Sequence, residues 1–453
     1  MKRFFNIVNK LIDKNISSVS RKKIIEFSFL LSLTYLIIRI IDNVYIAKPS
    51  LGDEWFFYKG FSNYIINGYY NSVINGISIP FMIITEFFYS FVSNISISLR
   101  LSNSLMVLLI YIYLFSRKNL LDKNNKLIFF IFLSLLIGTS GGMFYGTNDS
   151  FHSASLLIIY CECYLYIKYK GHNNLILVIS FIICILSRPI WILTLPVILV
   201  LCLTIDYLTK PHTAKLRENK FIIMFSLSIL ISLMFNYPRY LNENLTRKNS
   251  NIPYHNMLMS YVDKSKTYKT DDANFNWMQW HYYSQMVSNS RFFGLFAPLV
   301  NWDEVKKYKV LNGEDSLPKS HHKYISGYPL DVLKRLPGSV VEIFIMSIRY
   351  VGIFLFLLPI LIYFKYKFNV FDKKSLIIPL TVFLTILVFA FIHPRVIENR
   401  WLSSAYIFTL IFVLNRDNYF ESILNDNIIL LNILLMDIIT VWALWKWGIF
   451  LNI

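Results

Sequence analysis

"LILVISFIICILSRPIWILTLPVILV", residues 175 to 200, reads either as one broken membrane helix or as two spans joined at a turn, and the arrangement of the whole chain follows from the choice. Its first half, at about 1.5 Å per residue, reaches only some 20 Å, short of a hydrocarbon core of roughly 30 Å. Length therefore favours one broken helix. Loop charge favours two spans: the segments before Ile24 and at 116–126, 208–220 and 365–374 then share one side, with seven, four, four and four Lys or Arg. With one span the last two would change sides, against the tendency of basic loops to stay in the cytoplasm. The pattern predicts two spans meeting at Ser187-Arg188-Pro189, with Arg188 at the outer mouth.

The rest of the chain fits that frame. Of its 453 residues 55% are hydrophobic and 16% charged, and the apolar ones come in runs instead of alternating. This argues against a β-barrel and predicts an all-α polytopic membrane protein. Apolar runs fall near 24–46, 96–115, 127–146, 151–167, 175–187, 190–207, 221–237, 341–364, 375–392, 401–415 and 427–450. Taken as spans they number about eleven, with the N-terminus in the cytoplasm. The formal charge of +18 would suit nucleic acid in a soluble protein, but the basic residues cluster in short loops as orientation signals do, so no nucleic-acid partner is expected. No small-residue cleavage site follows the first run, which reads as a retained anchor. Cys161, Cys163, Cys184 and Cys202 all lie inside apolar runs and read as packing residues.

The same topology gathers the other polar clusters on the outer side: "GDEW" at 52–55, "GTNDSFH" at 146–152, the Arg188 turn, a segment from about 238 to 340, and "HPRVIENRW" at 393–401. Three parts follow: an N-terminal membrane module, 1–237, whose first outer loop spans 47–95; an outward-facing soluble domain, 238–340; and C-terminal membrane helices, 341–453. The soluble domain holds Trp277, Trp280 and Trp302 and shows no clear strand or helix pattern. Residues 71–95, with Pro80 and Glu86, read as an amphipathic helix in the outer interface.

Several ionisable groups stand out. Asp53 and Glu54 follow the first span, where a helix end could simply be solvated. Asp149 and His152 share a helical face and could orient a substrate, bind a metal or cap a helix beginning near Phe151. His393, Arg395, Glu398 and Arg400 crowd into one turn between runs. Arg39 with Asp42, Glu162 and Glu342 lie within apolar runs, where ionisable residues are functional candidates by default. Arg39 and Asp42, one turn apart, can pair with each other.

"DEWFFYKGFSNYIINGYYN" (53–71) followed by "SIPFMIITEFFYSFVSNISISLRLSNSLMVLL" (78–109) resembles the start of GT-C glycosyltransferases that use polyprenyl-phosphate sugars, notably the protein mannosyltransferase and lipid A aminoarabinose transferase group. The shared order is an acidic pair after the first span, a glycine-aromatic turn, a proline-started amphipathic helix, and an Arg-Leu start to the next span, here Arg100, Leu101, Asn103 and Ser104. "GTNDSFHSASLLIIY" is similar to the family's second acidic position, Asp149 here. "ILSRPIWILTLPVILV" is similar to a basic, proline-containing turn between two short helices, and "FIHPRVIENRWLSSAYIFTLIF" to a late outer turn that faces the donor phosphate. The chain departs from the aminoarabinose branch at Ser78-Ile79-Pro80, which has one proline and no preceding lysine.

The resemblance implies an inverting glycosyltransferase on the outer face of the inner (cytoplasmic) membrane, moving a sugar from undecaprenyl-phosphate to a hydroxyl of a surface glycan such as lipid-linked O-antigen. It implies catalytic roles for Asp53, Glu54 and Asp149, with Asp53 as base. Donor-phosphate binding would fall to Arg188, His393, Arg395 and Arg400, whose guanidinium forks suit phosphate oxygens, and support to Arg100, His152 and Glu398. Lipid A, a protein hydroxyl, a flippase for a lipid-linked glycan and a glycan polymerase stay open as alternatives. No cofactor is required by the motifs, and a divalent metal held by Asp53, Glu54, Asp149 and His152 stays open.

Overall fold

A computed structural model describes residues 17–46, 53–74, 78–122, 125–140, 143–144, 146–169, 172–187, 191–209, 220–241, 329–367, 376–392, 399–415 and 426–446. Among them are fourteen α-helices and no strand. In chain order they are α1 (Ser18–Ile41), α2 (Asp53–Ile74), α3 (Ile79–Val92), α4 (Ile95–Ser116), α5 (Lys126–Thr139), α6 (Asp149–Tyr169) and α7 (Asn174–Ser187). After these come α8 (Trp191–Thr209), α9 (Lys220–Leu241), α10 (Pro329–Val351), α11 (Phe354–Lys367), α12 (Ile377–Ile392), α13 (Ser403–Leu414) and α14 (Asp426–Lys446). Each apolar run of the sequence is helical over most of its length.

Among the described residues four stretches are long and apolar enough to cross a membrane: Val19–Tyr45, Ile95–Ser116, Lys220–Tyr237 and Asp426–Trp445. The bent pair Ile343–Val351 and Phe354–Tyr363 would make a fifth, and further apolar helices are shorter. The chain divides into two compact units, one formed by Met1–Leu241, Met346–Thr385 and Asn399–Ile453, the other by Asn242–Ile345 and Ile386–Glu398. Most of the second unit, including Trp277, Trp280 and Trp302, lies outside the described residues.

Local chemistry explains several helix ends. Asn94 accepts the Ile97 N–H at 3.1 Å and so caps α4. Asp206 on α8 reaches across to accept two N–H groups in the first turn of α9, Phe221 at 3.1 Å and Ile222 at 2.9 Å. A carboxylate at that position also faces the positive end of the helix dipole. Inside α2 the chain kinks at Gly68, whose φ of 75° falls where residues with a Cβ are strained. This is the glycine of the glycine-aromatic turn in the sequence.

Polar contacts in the first unit gather at two opposite ends of its helices. At one end Arg117, after α4, bonds Glu162 of α6 at 2.6 Å, and Glu162 also receives Tyr113 O–H and Asn173 N–H, both at 2.7 Å. Asn125 donates to Leu414 O there at 2.7 Å, and Asn415 Nδ2 donates to Leu120 O. Glu162, flagged by its place in an apolar run, is therefore a clamp joining α4, α6 and the start of α7. Since the ends of α4 and α13 both meet this region, and Phe408 of α13 packs on Tyr160 and Tyr164, α4, α6 and α13 run parallel. Their starts, with Arg100, Asp149 and the Asn399–Leu402 turn, share the other end.

That geometry also resolves stretch 175–200 locally. The start of α7 lies beside Glu162, while Cys184 near its finish lies 3.7 Å from His152 at the start of α6. Asp206, near the finish of α8, caps α9, whose first residues Lys220 and Phe221 touch His172 just before α7. The helices α7 and α8 thus run antiparallel as a hairpin. Their joining residues, Arg188 among them, lie outside the described residues.

The run 341–364, expected as a single span, is instead broken between α10 and α11 with a bend of 109°. Gly352 sits at φ 58° in the break. Across from it, the buried Asn432 of α14 accepts Ile353 N–H at 2.8 Å and donates to Val351 O at 3.1 Å, replacing bonds that the bend removes. A Cβ on residue 352 would lie 1.8 Å from Asn432 Oδ1. Gly352→Ala is expected to lower stability in detergent by at least about 1–3 kcal/mol, from backbone strain and lost room, and Asn432→Leu by about 1–3 kcal/mol per backbone group left unpaired. Thermal unfolding checks both, and wild-type stability in either variant would contradict this account of the break.

Candidate functional site

The helix α2 begins at Asp53, so its first turn carries the acidic pair. Glu54 points into the protein and is 1% exposed, while Arg100, in the second turn of α4, is 2% exposed. The two form a bidentate ion pair, Arg100 Nε to Glu54 Oε1 at 2.7 Å and Nη2 to Oε2 at 3.0 Å. Gly146 N–H donates to the same Oε1 at 3.2 Å. One carboxylate thereby joins α2, α4 and the loop before α6. Charge-assisted and two-pronged, this is the strong form of such a contact. Its energetic weight lies in what happens when one partner goes, since an uncompensated buried charge costs about 3–5 kcal/mol.

One turn beyond Arg100, Asn103 continues the hold on the loop. Its Nδ2 donates to Thr147 O, and its Oδ1 accepts from the Ser150 hydroxyl. Thr147 in turn donates its hydroxyl to Asp149 Oδ2 at 2.8 Å. Asp149 is buried and is the first residue of α6, where a carboxylate favours the helix dipole. Its position is thus compatible with helix-end stabilisation as well as with substrate contact. Close approach makes Gly146 necessary: a Cβ there would sit 2.6 Å from Glu54 Oε1 and 2.9 Å from its Cγ.

Packing of α3 encloses this end. Phe81 contacts Phe57 of α2 and Phe151 of α6 edge-on, with centroids 5.6 and 5.3 Å apart, and Thr85 bonds Ser102 of α4 at 3.0 Å. On the outer flank Tyr64 O–H donates to Glu86 Oε2 at 2.5 Å. That hydrogen bond, then partial burial and the Glu86 charge, push the Tyr64 phenol up to about 12, so it keeps its proton. Nearby, Arg39 pairs with Asp42 at 3.0 Å and also donates to Gly138 O at 3.0 Å, which ties the end of α1 to the end of α5.

The structure brings Glu54, Arg100, Asp149 and His152 to one end of the same helices. The backbone of Arg400 lies in the Asn399–Leu402 turn, which packs against α6. The side chains of Asp53, Arg400 and Glu342, and the whole of Arg188, His393, Arg395 and Glu398, lie outside the described residues. His152 turns Nδ1 toward Cys184 Sγ at 3.7 Å. Among the described residues no three His, Cys, Asp or Glu converge on a metal-sized site. Glu54 fits a metal ligand poorly, because a divalent cation on its oxygens would sit beside the Arg100 guanidinium. Sequence reasoning singled out Arg100 and Asn103 only as motif positions and did not anticipate Gly146 or Thr147 as their partners; a polar residue every turn on the buried face of α4 was the available signal.

Compared with known proteins, the chain matches no family model, no curated protein and no solved structure. Gly146→Ala should push Glu54 off its partners and cost about 1–3 kcal/mol, as overpacking of a tight site does. Detergent unfolding measures this, and an unchanged midpoint would mean the loop is not held by Glu54.

Proposed function

We propose that the protein is an integral membrane glycosyltransferase of the GT-C kind, moving a sugar from undecaprenyl-phosphate to a hydroxyl acceptor. The observation that carries this reading is the meeting of Glu54 with the Gly146–Ser150 loop, residues 92 positions apart in the chain. It sets the start of α2, where Asp53 lies, beside the loop that leads into Asp149. Two acidic segments singled out by motif order therefore belong to one place. In the proposed mechanism Asp53 accepts the proton of the acceptor hydroxyl as that oxygen attacks the anomeric carbon, and polyprenyl phosphate leaves from the opposite face. Glu54, occupied by Arg100, positions Asp53 and the loop instead of taking the proton itself. Asp149 orients the acceptor. Arg188, His393, Arg395 and Arg400 neutralise the leaving phosphate.

The finer architecture belongs to the same proposal: about eleven spans in the inner membrane, a cytoplasmic N-terminus, and a soluble outer domain over 238–340 that selects the acceptor. A lipid-linked surface glycan such as O-antigen is the acceptor of first choice, ahead of lipid A or protein hydroxyls. In vesicles given radiolabelled undecaprenyl-phosphate sugars, the wild-type chain should incorporate label into glycan, and Asp53→Asn should lose transfer by about 10² or more, the usual worth of a general base, while still folding. Transfer by Asp53→Asn at the wild-type rate would remove Asp53 as the base. Label carried across the bilayer unchanged would instead mark a flippase.

A further inference from the structure

In the last turn of the loop before α6 several polar groups are matched to one another. Gly146 N–H meets Glu54, Thr147 O receives Asn103, the Thr147 hydroxyl meets Asp149, and the Ser150 hydroxyl meets Asn103. Asn148 breaks the pattern. The residue is 1% exposed, and its side-chain oxygen is buried with no hydrogen-bond partner among the described residues. Leaving a desolvated carbonyl oxygen unpaired is destabilising, native proteins keep few such groups, and those that persist concentrate where function requires them. Its neighbours are held in place: Gly146 by Glu54, Thr147 by Asn103, and Ser150, two residues on, by the same Asn103. A rigid support around one unmatched acceptor is how a binding group is preorganised.

We infer that Asn148 is a substrate ligand whose amide oxygen accepts a hydrogen bond from a carbohydrate hydroxyl, on either the transferred sugar or the acceptor. The assignment rests on the glycosyltransferase reading. The chemistry of the oxygen selects the partner: a neutral acceptor binds a donor, so neither a phosphate oxygen nor a polyprenyl chain satisfies it, whereas a sugar hydroxyl does. A structural water is the other occupant such an oxygen would take.

The test compares wild type with Asn148→Ala and Asn148→Leu in reconstituted vesicles. Donors are undecaprenyl-phosphate glucose and mannose with their mono-deoxy analogues, and acceptors are alkyl hexosides with theirs. A site that hydrogen-bonds a hydroxyl rejects the analogue lacking it, so the wild type should disfavour one mono-deoxy substrate by about tenfold or more, and both variants should cut that preference to within about twofold. The arm in which the preference falls, donor or acceptor, identifies the source of the hydroxyl. Because the oxygen is unmatched among the described residues, neither variant should unfold at a lower temperature in substrate-free detergent. Preference retained at every position overturns the assignment, and a lowered unfolding temperature with retained preference identifies a structural water. A wild-type chain that transfers none of these sugars overturns the underlying reading, and this assignment with it.

Discussion

The bidentate contact between Glu54 and Arg100 is the constraint on which the rest of this end of the protein depends. Two opposite charges almost fully removed from water are tolerable only together, and Gly146 N–H adds a third group to the same carboxylate. Three separate parts of the chain are fixed by that requirement: the start of α2, the second turn of α4 and the loop into α6. Asn103, one turn on, extends the hold to Thr147 and Ser150. The candidate site is thus built on helices and a pinned loop.

A second set of polar bonds lies at the opposite ends of α4 and α6 and at the start of α9. Glu162 gathers Arg117, Tyr113 and Asn173, and Asp206 caps α9. Between the two sets the helices pack through apolar and aromatic side chains, such as Tyr160 and Tyr164 on Phe408. Where backbone bonds fail inside this apolar region, a side chain replaces them, as Asn432 does at the bend after α10. On α1 and α14 the buried Ser28 and Asp437 meet at 2.5 Å. Buried polar groups are costly unless paired.

Much of the helix pattern was legible because a run of apolar residues signals a helix without reference to anything distant. That 175–200 holds two helices and not one was legible from the Ser-Arg-Pro break between its apolar halves. By contrast the break at Gly352 depends on Asn432, and the partner of Glu54 is Arg100, 46 residues away. Neither pairing leaves a local trace. The two acidic motifs were legible as segments, and Glu54 and the Asp149 loop do meet. What they did not give was the division of labour: in isolation "Asp-Glu" offers two equivalent carboxylates, and only burial against an arginine marks Glu54 as the anchor.

A double-mutant cycle on Glu54 and Arg100 tests this account most directly. Glu54→Gln, Arg100→Gln and the combined variant are compared by equilibrium unfolding in detergent, with the proposed sugar transfer assayed for each. If the pair organises the site, each single change costs on the order of 3–5 kcal/mol, and the double costs less than their sum by at least about 2 kcal/mol. Transfer is then low in all three. Additive losses within about 0.5 kcal/mol, or full transfer in the double variant, would contradict it.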